Sequence, residues 1–358
     1  MMTAVPFHKA FEGRRVLVTG HTGFKGSWLS LWLHQLGADV TGISREVPRS
    51  PAMFDLVGLA DLVDHRLVDI RSADAVDAVI KEVQPDLVFH LAAQPLVLQS
   101  YRDPVETFAS NVMGTVHLLE AIRHQPATRG VVVVTSDKVY RNEERTTGYV
   151  ESDHLGGHDP YSASKAAAEM VAHAYHRSFL DGSPTNLATA RAGNVIGGGD
   201  WAEDRIIPDA VRAWTSGTAV EVRSPASTRP WQHVLDPVEG YLRLGAALLG
   251  NQPGVDGESF NFGPAAADQH TVADLLDTWA THLSGASWVG DPDADLAPAE
   301  ATLLHLDSSL AHSVLGWQPR HDFGSAVAET AAWYDAWRSD DDLRALTINQ
   351  IQLHSDRI

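Results

Sequence analysis

The chain has no cysteine among its 358 residues, and its 27 Lys and Arg are outnumbered by 46 Asp and Glu. The missing cysteine excludes disulfides, zinc–thiolate sites and thiol nucleophiles, and we predict no metal site. No apolar run reaches the length of about 18 residues that a membrane-spanning helix needs. The segment before Gly13 contains Glu12 and lacks the apolar stretch of a signal peptide, which favours a cytoplasmic protein.

The acidic surplus gives the chain a formal net charge of −19. Such a surface repels nucleic acid and anionic membrane, so we expect neither as a partner. It also repels an anionic substrate at long range, so any phosphate-bearing substrate needs local Arg and Lys. Apolar residues make up 44% of the chain, which is typical of a soluble protein with a sizeable core.

Short apolar runs alternate with helical patterns over the first half of the chain. The predicted strands are Arg15–Thr19, Ala38–Ile43, Asp86–Leu91, Gly130–Val134 and Asn186–Arg191, and the predicted helices are Gly26–Leu36, Ala73–Val83, Asn111–Arg123 and Tyr161–Phe179. This alternation predicts an α/β fold with a Rossmann-like, doubly wound parallel sheet and helices on both faces. Beyond Gly193 the pattern loosens and predicts a smaller mixed α/β lobe.

We therefore divide the chain into a dinucleotide-binding domain, residues 13–192, and a mainly substrate-binding lobe, residues 193–345. Part of 230–262 could return to the main sheet, because Glu258–Phe262 resembles a strand. Asp291–Glu300 is rich in Asp, Ala and Pro and predicts a surface loop. The tail after Arg338 predicts a peripheral helix.

A glycine-rich turn, Gly20–Gly26, separates the first predicted strand from the first predicted helix. Gly20 permits a tight turn, Gly23 lets the backbone approach a pyrophosphate, and Gly26 lets the helix pack closely on the strand. The N–H groups at the start of the helix then bind the anion. The turn predicts a dinucleotide cofactor.

The residues after the second predicted strand leave NAD and NADP open on physical grounds. A carboxylate at this place would bind the ribose hydroxyls of NAD, but the sequence has Ser44 and Arg45 there. Arg45 and Lys25 could pair with the 2′-phosphate of NADP. Both could equally be solvated surface cations.

Tyr161 and Lys165 stand four residues apart in a predicted helix, on one face. A phenol is a poor base at neutral pH, but a neighbouring ammonium lowers its pKa and favours the phenolate. Such a tyrosine can take a proton from a hydroxyl as hydride leaves for a nicotinamide. We therefore predict that the pair is catalytic; the alternative is a surface Tyr and Lys.

The predicted strand Gly130–Val134 ends in Thr135–Lys138. Ligands bind at the carboxyl ends of parallel strands, so these side chains are candidates for the site. Ser136 can bind the reacting oxygen, and Asp137 and Lys138 supply an acid and a base. The structural alternative is that Asp137 caps a turn and Lys138 pairs with it.

Several motifs resemble the extended short-chain dehydrogenases that act on nucleotide sugars and, among them, the 4,6-dehydratases of CDP-glucose. The resemblance covers nearly the whole chain. It is carried by Gly20–Trp28, His90–Val97, Asn111–Arg123, Thr135–Lys138, Asp159–Ser162, Ala190–Trp201, Arg229–Leu235 and Leu315–Pro319. Two residues that flank the site depart from the family pattern, because Val139 replaces a usual cysteine and His158 a usual tyrosine.

The resemblance implies an oxidation triad of Ser136, Tyr161 and Lys165 and a dehydration pair, Asp137 as acid and Lys138 as base. It implies NAD as the cofactor. The implied cofactor-binding residues are Gly20, Thr22, Gly23, Phe24, Lys25, Gly26, Asp69, Ile70, Leu91, Ala92, Ala93, Tyr161 and Lys165. The implied substrate-binding residues are Gln94, Ser100, Asn194, Arg205 and Arg229.

The implied reaction oxidises carbon 4 of CDP-glucose, eliminates water across carbons 5 and 6, and returns the hydride to carbon 6. Lys138 acts as a base if it is partly neutral, or as a cation that stabilises an enolate. A 4-epimerase on the same scaffold is the alternative, and it would not need Asp137 and Lys138. A non-catalytic nucleotide-binding protein would lack the Tyr161–Lys165 pair.

The resemblance also implies a homo-oligomer, either a dimer or a tetramer. The predicted amphipathic helices Asn111–Arg123 and Tyr161–Phe179 are the candidates for its interface.

Overall fold

A computed structural model describes residues 7–48, 51–265, 268–283, 286–290 and 303–357. The predicted loop Asp291–Glu300 lies outside these residues. The strands are β1 (Arg15–Thr19), β2 (Asp39–Ser44), β3 (Asp64–Leu67), β4 (Leu87–His90), β5 (Gly130–Val134), β6 (Asn186–Ala192), β7 (Val195–Ile196), β8 (Val220–Val222), β9 (Thr228–Arg229), β10 (Gln232–His233), β11 (Ser259–Phe262), β12 (His270–Thr271) and β13 (Trp288–Gly290).

The α-helices follow the same chain order. They are α1 (Phe24–Gln35), α2 (Met53–Leu56), α3 (Ala73–Val83), α4 (Val97–Arg102), α5 (Pro104–Phe108), α6 (Gly114–Arg123), α7 (Pro160–Tyr175), α8 (Ile206–Thr215), α9 (Leu235–Leu249), α10 (Val272–Ala280), α11 (Ser309–Leu315), α12 (Phe323–Arg338) and α13 (Leu343–Asp356). None of the helices in the described ranges is long and apolar enough to cross a membrane.

One parallel sheet of seven strands organises the molecule, in the order β11-β6-β5-β4-β1-β2-β3. The direction of strand succession reverses between β1 and β4, which opens a crevice at their carboxyl ends. This topology confirms the predicted Rossmann-like, doubly wound fold.

Alternate residues of β1 show how the sheet is buried on both faces. Val16 and Val18 enter the larger core, which also contains Trp28 of α1. Leu17 enters the second core, together with Leu118 of α6. Because helices cover both faces, the inner strands are continuous apolar runs rather than alternating ones.

The last strand of the sheet, β11, comes from the second half of the chain. It pairs with β6 in parallel register, with Asn261 opposite Arg191. The chain beyond residue 192 therefore contributes to the main sheet. The other strands of the second half form short ladders of two or three residues, β7 with β10, β8 with β13 and β9 with β12.

The start of α7 is fixed by its first residues. Asp159 accepts a hydrogen bond from the N–H of Ser162 at 2.9 Å, and Pro160 occupies the first helical position, where no N–H is needed. At its far end α7 continues as one π-helical turn, His176–Leu180. A similar turn, Ala109–Met113, precedes α6.

Candidate active site

A cavity of about 490 Å³ lies between the carboxyl ends of the central strands and the second half of the chain. Ser136, Asp137, Lys138 and Tyr161 line it, and Lys165 is buried one helical turn beyond Tyr161. The structure therefore brings the predicted catalytic residues together.

The Gly20–Gly26 turn has no room for side chains at its two ends. A Cβ atom at Gly20 would lie 2.8 Å from the backbone nitrogen of Ala92, and one at Gly26 would lie 2.1 Å from the carbonyl oxygen of Gly20. Helix α1 begins with no side-chain cap, so its first N–H groups can receive an anion. This cradle fits the pyrophosphate of a dinucleotide.

The loop after β4 forms the other wall of the crevice. Thr19 holds it, because its carbonyl accepts the N–H of Leu91 at 3.1 Å and its hydroxyl accepts the N–H of Ala92 at 3.0 Å. Leu91, Ala92 and Ala93 therefore lie beside the glycine turn, at the point where strand order reverses.

Asp137, Lys138 and Val139 form a single turn of 3₁₀-helix after β5. Ser136 caps this turn, since its hydroxyl accepts the N–H of Lys138 at 3.2 Å and donates to Oδ1 of Asp137 at 2.8 Å. Ser136, and not Asp137, is therefore the cap.

Asp137 is buried, and its Oδ2 has no hydrogen-bond partner in the part of the chain that the structure describes. Burial raises the pKa of Asp137, although Lys138 and the Ser136 hydroxyl act in the opposite direction. A carboxyl group with a raised pKa keeps its proton at a higher pH, as a general acid must.

Tyr161 and Lys165 are both buried, and Nζ of Lys165 donates to the carbonyl of Val134 at 3.4 Å. Burial raises the pKa of Tyr161 to about 12, while Ser136 and Arg205 favour its phenolate. The predicted lowering of this pKa is therefore wrong for the chain by itself, because desolvation outweighs the neighbouring donors and charges.

Burial also shifts the pKa of the Lys165 amine. Burial and the charge of Lys25 lower the pKa of Lys165 to about 7. Buried groups beside a cleft whose pKa values are strongly shifted are candidates for a functional site.

Residues 16–263 match the model of the NAD dependent epimerase/dehydratase family. The chain belongs to this family. It is 46% identical to CDP-glucose 4,6-dehydratase of Salmonella typhimurium, over 93% of this chain and 94% of that protein. It is 32% identical to a dTDP-glucose 4,6-dehydratase of Streptomyces antibioticus, over 89% of this chain and 92% of that protein.

A solved relative has the same fold. The dTDP-glucose 4,6-dehydratase of Streptomyces venezuelae, crystallised with NAD, superposes with a TM-score of 0.75 at 26% identity, over 91% of this chain and 98% of that one. NAD is the cofactor of this epimerase/dehydratase chain as well.

The contacts of Arg45 and Lys25, the two candidate cations for the 2′-phosphate of NADP, agree with NAD as the cofactor. Arg45 donates to Glu46 at 2.6 Å and to Glu106 at 3.0 Å. Its charge is thus shared by two carboxylates, which would repel a 2′-phosphate. Lys25, the second candidate for that phosphate, lines the catalytic cavity instead.

Asp69 and Ile70 follow β3. Asp69 binds the guanidinium of Arg71 at 2.5 Å, and this hydrogen bond is the main reason why its pKa is lowered. Ile70 is buried, and its carbonyl lies 3.0 Å from Nδ1 of His117. Thr22 is buried in the glycine turn and donates to the carbonyl of Glu46 at 2.8 Å.

Gln94 and Ser100 are not among the residues that line the cavity. The side chain of Gln94 donates to Thr107 at 2.8 Å and accepts the N–H of Leu96 at 2.6 Å. The hydroxyl of Ser100 accepts the N–H of Tyr161 at 3.1 Å. Both side chains therefore hold neighbouring backbone and side chains in place.

Asn194, Arg205 and Arg229, which the resemblance implied as substrate-binding residues, line the cavity. Nη1 of Arg205 binds Oδ2 of the buried Asp200 at 2.9 Å. Asp200 also lines the cavity, and sequence reasoning did not single it out. Its place in the Gly198–Trp201 stretch, which carries the family resemblance, was the available signal.

The cavity wall carries equal numbers of basic and acidic side chains. They are Lys25, Lys138, Arg205, Arg223 and Arg229 against Asp137, Asp200, Asp204, Asp209 and Glu221. Asp209 forms an ion pair with Arg212, which is outside the wall, and burial keeps Asp137 protonated to higher pH. A phosphate-bearing substrate needs a local excess of positive charge. In this cavity such an excess arises because Asp137 and Asp209 are neutralised, and not because basic residues outnumber acidic ones.

Proposed function

We propose that the chain converts CDP-glucose to CDP-4-keto-6-deoxyglucose. The observation that carries this proposal is that one wall holds Asp137 and Lys138 beside Ser136 and Tyr161. An epimerase needs only the groups that oxidise and reduce carbon 4, whereas a dehydratase also needs an acid and a base for carbons 5 and 6. The 46% identity to a CDP-glucose 4,6-dehydratase supports the same choice.

In the first step, Tyr161 takes the proton of the 4-hydroxyl. Ser136 lies beside Tyr161 and favours its phenolate. A cationic Lys165, on the next turn of α7, would favour the phenolate as well. NAD, bound in the glycine cradle, supplies a cationic ring that accepts a hydride and later returns it.

In the second step, the ketone at carbon 4 acidifies the proton on carbon 5. Lys138 removes this proton or stabilises the enolate as a cation, and Asp137 protonates the leaving 6-hydroxyl. The raised pKa of the buried Asp137 suits it to donate that proton.

The nucleotide end of the substrate lies against the second half of the chain. We assign Asn194, Arg205 and Arg229 to the diphosphate and nucleotide, because they line the cavity on that side. Gln94 and Ser100 support the hexose site without contacting the sugar, because each side chain already forms hydrogen bonds within the protein.

Helices α5, α6 and α7, with the π-helical turns Ala109–Met113 and His176–Leu180, pack together and expose apolar side chains. These are Val105, Phe108, Met113, Met170 and Phe179, with exposures between 40% for Phe108 and 78% for Val105. We propose that this face pairs with a second copy of the chain. We also propose that the protein acts in the cytoplasm, where NAD and nucleotide sugars are made. Val105→Asp with Met170→Asp should yield monomers in analytical ultracentrifugation, and Leu353→Asp on α13 is the control.

Mass spectrometry of the protein with NAD and, separately, CDP-, dTDP-, UDP- and GDP-glucose tests the reaction. CDP-glucose should lose one water without net production of NADH. A product of unchanged mass would identify an epimerase, and stoichiometric NADH would identify a simple oxidoreductase. Either result would overturn the proposal.

A further inference from the structure

A buried ion pair lies behind the catalytic cavity. Oε2 of Glu169, on α7, is 2.8 Å from Nη2 of Arg191, on β6. Both residues are at most 1% exposed. A buried pair of this kind adds little net stability, because the loss of hydration offsets the attraction. Its contacts therefore suggest another role.

The Glu169 carboxylate joins α7 to the sheet. Its Oε1 accepts the hydroxyl of Thr135 at 2.5 Å, and its Oε2 accepts the hydroxyls of Thr189 at 2.8 Å and Ser259 at 3.2 Å. Thr135 directly follows β5, Thr189 lies within β6, and Ser259 is the first residue of β11. Thr135 directly precedes Ser136, so the carboxylate holds the start of the catalytic turn.

Arg191 holds the other end of the same turn. Its Nη1 donates to the hydroxyl of Tyr140 at 2.8 Å and to the carbonyl of Glu151 at 3.0 Å. Tyr140 stands two residues after Lys138. The ion pair therefore contacts the chain on both sides of Ser136, Asp137 and Lys138.

We propose that Glu169 and Arg191 are positioning residues for the dehydratase reaction. They fix the segment 135–140 against α7 and so set the separation between the dehydration pair and the Tyr161–Lys165 pair. This inference rests on the proposed function and adds to it. Neither residue lines the cavity, so neither is expected to touch substrate.

The charge of Glu169 has a second effect, because it stands one helical turn beyond Lys165. Burial and Lys25 lower the pKa of Lys165, and Glu169 opposes them. His90 on β4 also faces Lys165, and burial lowers the pKa of His90 to about 3, with the charge of Lys165 acting in the same direction. Tyr161 precedes Lys165 by one turn of the same helix. Glu169 is thus the acidic group that favours the Lys165 ammonium.

Two variants distinguish the effect of Glu169 on the position of the catalytic turn from the effect of its charge on Lys165. Glu169→Gln keeps the shape and removes the charge, whereas Thr135→Val keeps the charge pair and removes the hydroxyl that links it to the catalytic turn. Glu239→Gln is the matched control, because Glu239 on α9 is equally buried and also has charged or titratable partners. It binds Arg243 at 2.6 Å on the same helix and His354 at 2.9 Å on α13. Activity with CDP-glucose and NAD, its pH profile and thermal unfolding are measured for each.

We expect Thr135→Val to lower kcat about tenfold with an unchanged pH profile, since small displacements of reacting groups are costly. Glu169→Gln should lower kcat at least as much and move the alkaline limb of kcat down by roughly one pH unit, because Lys165 then loses its proton earlier. KM should change less than about twofold in both.

The proposal is overturned if both variants keep kcat within about twofold of the wild-type value. It is also overturned if Glu169→Gln loses activity only in step with its melting temperature, as Glu239→Gln does, with an unmoved alkaline limb. An inactive wild-type protein would instead contradict the proposed function, so the two failures are distinguishable.

Discussion

The hydroxyl of Ser100 accepts the backbone N–H of Tyr161 at 3.1 Å and donates to the carbonyl of Val97 at 2.6 Å. One side chain of α4 therefore holds the first turn of α7, where Tyr161, the proposed catalytic tyrosine, lies. The family resemblance placed Ser100 near the hexose, and the geometry gives it a role through Tyr161.

Replacing this serine tests that role. Ser100→Ala should lower kcat about tenfold and leave KM nearly unchanged, because Tyr161 loses its support rather than the substrate a contact. Stability should fall by about 1 kcal/mol for the lost hydrogen bonds. Ser30→Ala is the control, since Ser30 is buried and its hydroxyl has no partner within the described ranges. A rise in KM alone would instead favour direct contact with the sugar.

We expect the Asp137 carboxyl to be required for dehydration and to make the fold less stable. Asp137→Asn should slow dehydration by at least about 100-fold, because the acid for the 6-hydroxyl is lost. Oxidation at carbon 4 should persist and appear as reduced cofactor in a rapid-mixing absorbance trace. Asp204→Asn, on the same wall, should remain active. Full dehydration by Asp137→Asn would remove Asp137 from the second step.

The same substitution should stabilise the fold in a pH-dependent way. Burial raises the pKa of Asp137, so the folded state holds this proton more tightly than the unfolded state does. Wild-type stability therefore falls as pH rises above the ordinary pKa of an aspartate. Asp137→Asn should be more stable by on the order of 1 kcal/mol at neutral pH, with a smaller gain near pH 4. Urea unfolding at the two pH values measures the difference.

His321 connects the C-terminal helices to the rest of the molecule through charge. Its ring nitrogens lie 3.1 Å from Asp236 and 3.2 Å from Glu329. Burial disfavours the imidazolium, but the two carboxylates outweigh it and raise the pKa of His321 to about 9. The stabilisation is complete below the unfolded pKa near 6.5 and disappears as pH rises through 9.

His321→Gln should therefore be less stable than the wild type by roughly 3 kcal/mol at about pH 6. The difference should close by about pH 10, where the wild type has lost its proton. His34→Gln, at a partly exposed histidine outside this cluster, is the control for the loss of an imidazole elsewhere. A gap that stays constant from acid to alkaline pH would mean that His321 acts by packing alone.

The glycine turn should not tolerate a methyl group. Gly26→Ala would place a Cβ 2.1 Å from the carbonyl of Gly20, so the turn must open and the helix must withdraw from the strand. We expect NAD affinity, measured by calorimetry, to fall at least about tenfold, roughly 1.4 kcal/mol. Gly290→Ala should bind NAD like the wild type, because its added Cβ would meet no atom of the described residues within 4 Å.

Local signals explain which elements were predictable. β5 matches its predicted bounds, because a strand buried on both faces is a continuous run of valines after Gly130. The predicted helix Ala73–Val83 is also reproduced, since Ser72 caps its start and Gln84 ends it in a left-handed conformation. β3 was not predicted: its sequence, Asp64–Leu67, is half exposed at the sheet edge and shows no apolar alternation.

The proposed catalytic residues could be selected from local motifs, but their environment could not be predicted. Tyr161 and Lys165 share a helix, and Ser136 follows a strand, so their neighbourhood follows from the chain order. The direction of the Tyr161 pKa depends on burial, which arises from residues distant in sequence. In the same way, nothing in the sequence around Lys25 shows that its side chain points to the catalytic cavity rather than to the adenosine end.

The pairing of β11 with β6 has a consequence for engineering. A fragment that stops after Ala192 would retain the whole glycine cradle but would leave the backbone of β6 bare along one side. Such an exposed row of donors and acceptors invites self-association. The cofactor-binding half is therefore poorly suited to use as a separate fragment. When the nucleotide-recognising half is exchanged between relatives, the strand Ser259–Phe262 should come from the same protein as the main sheet.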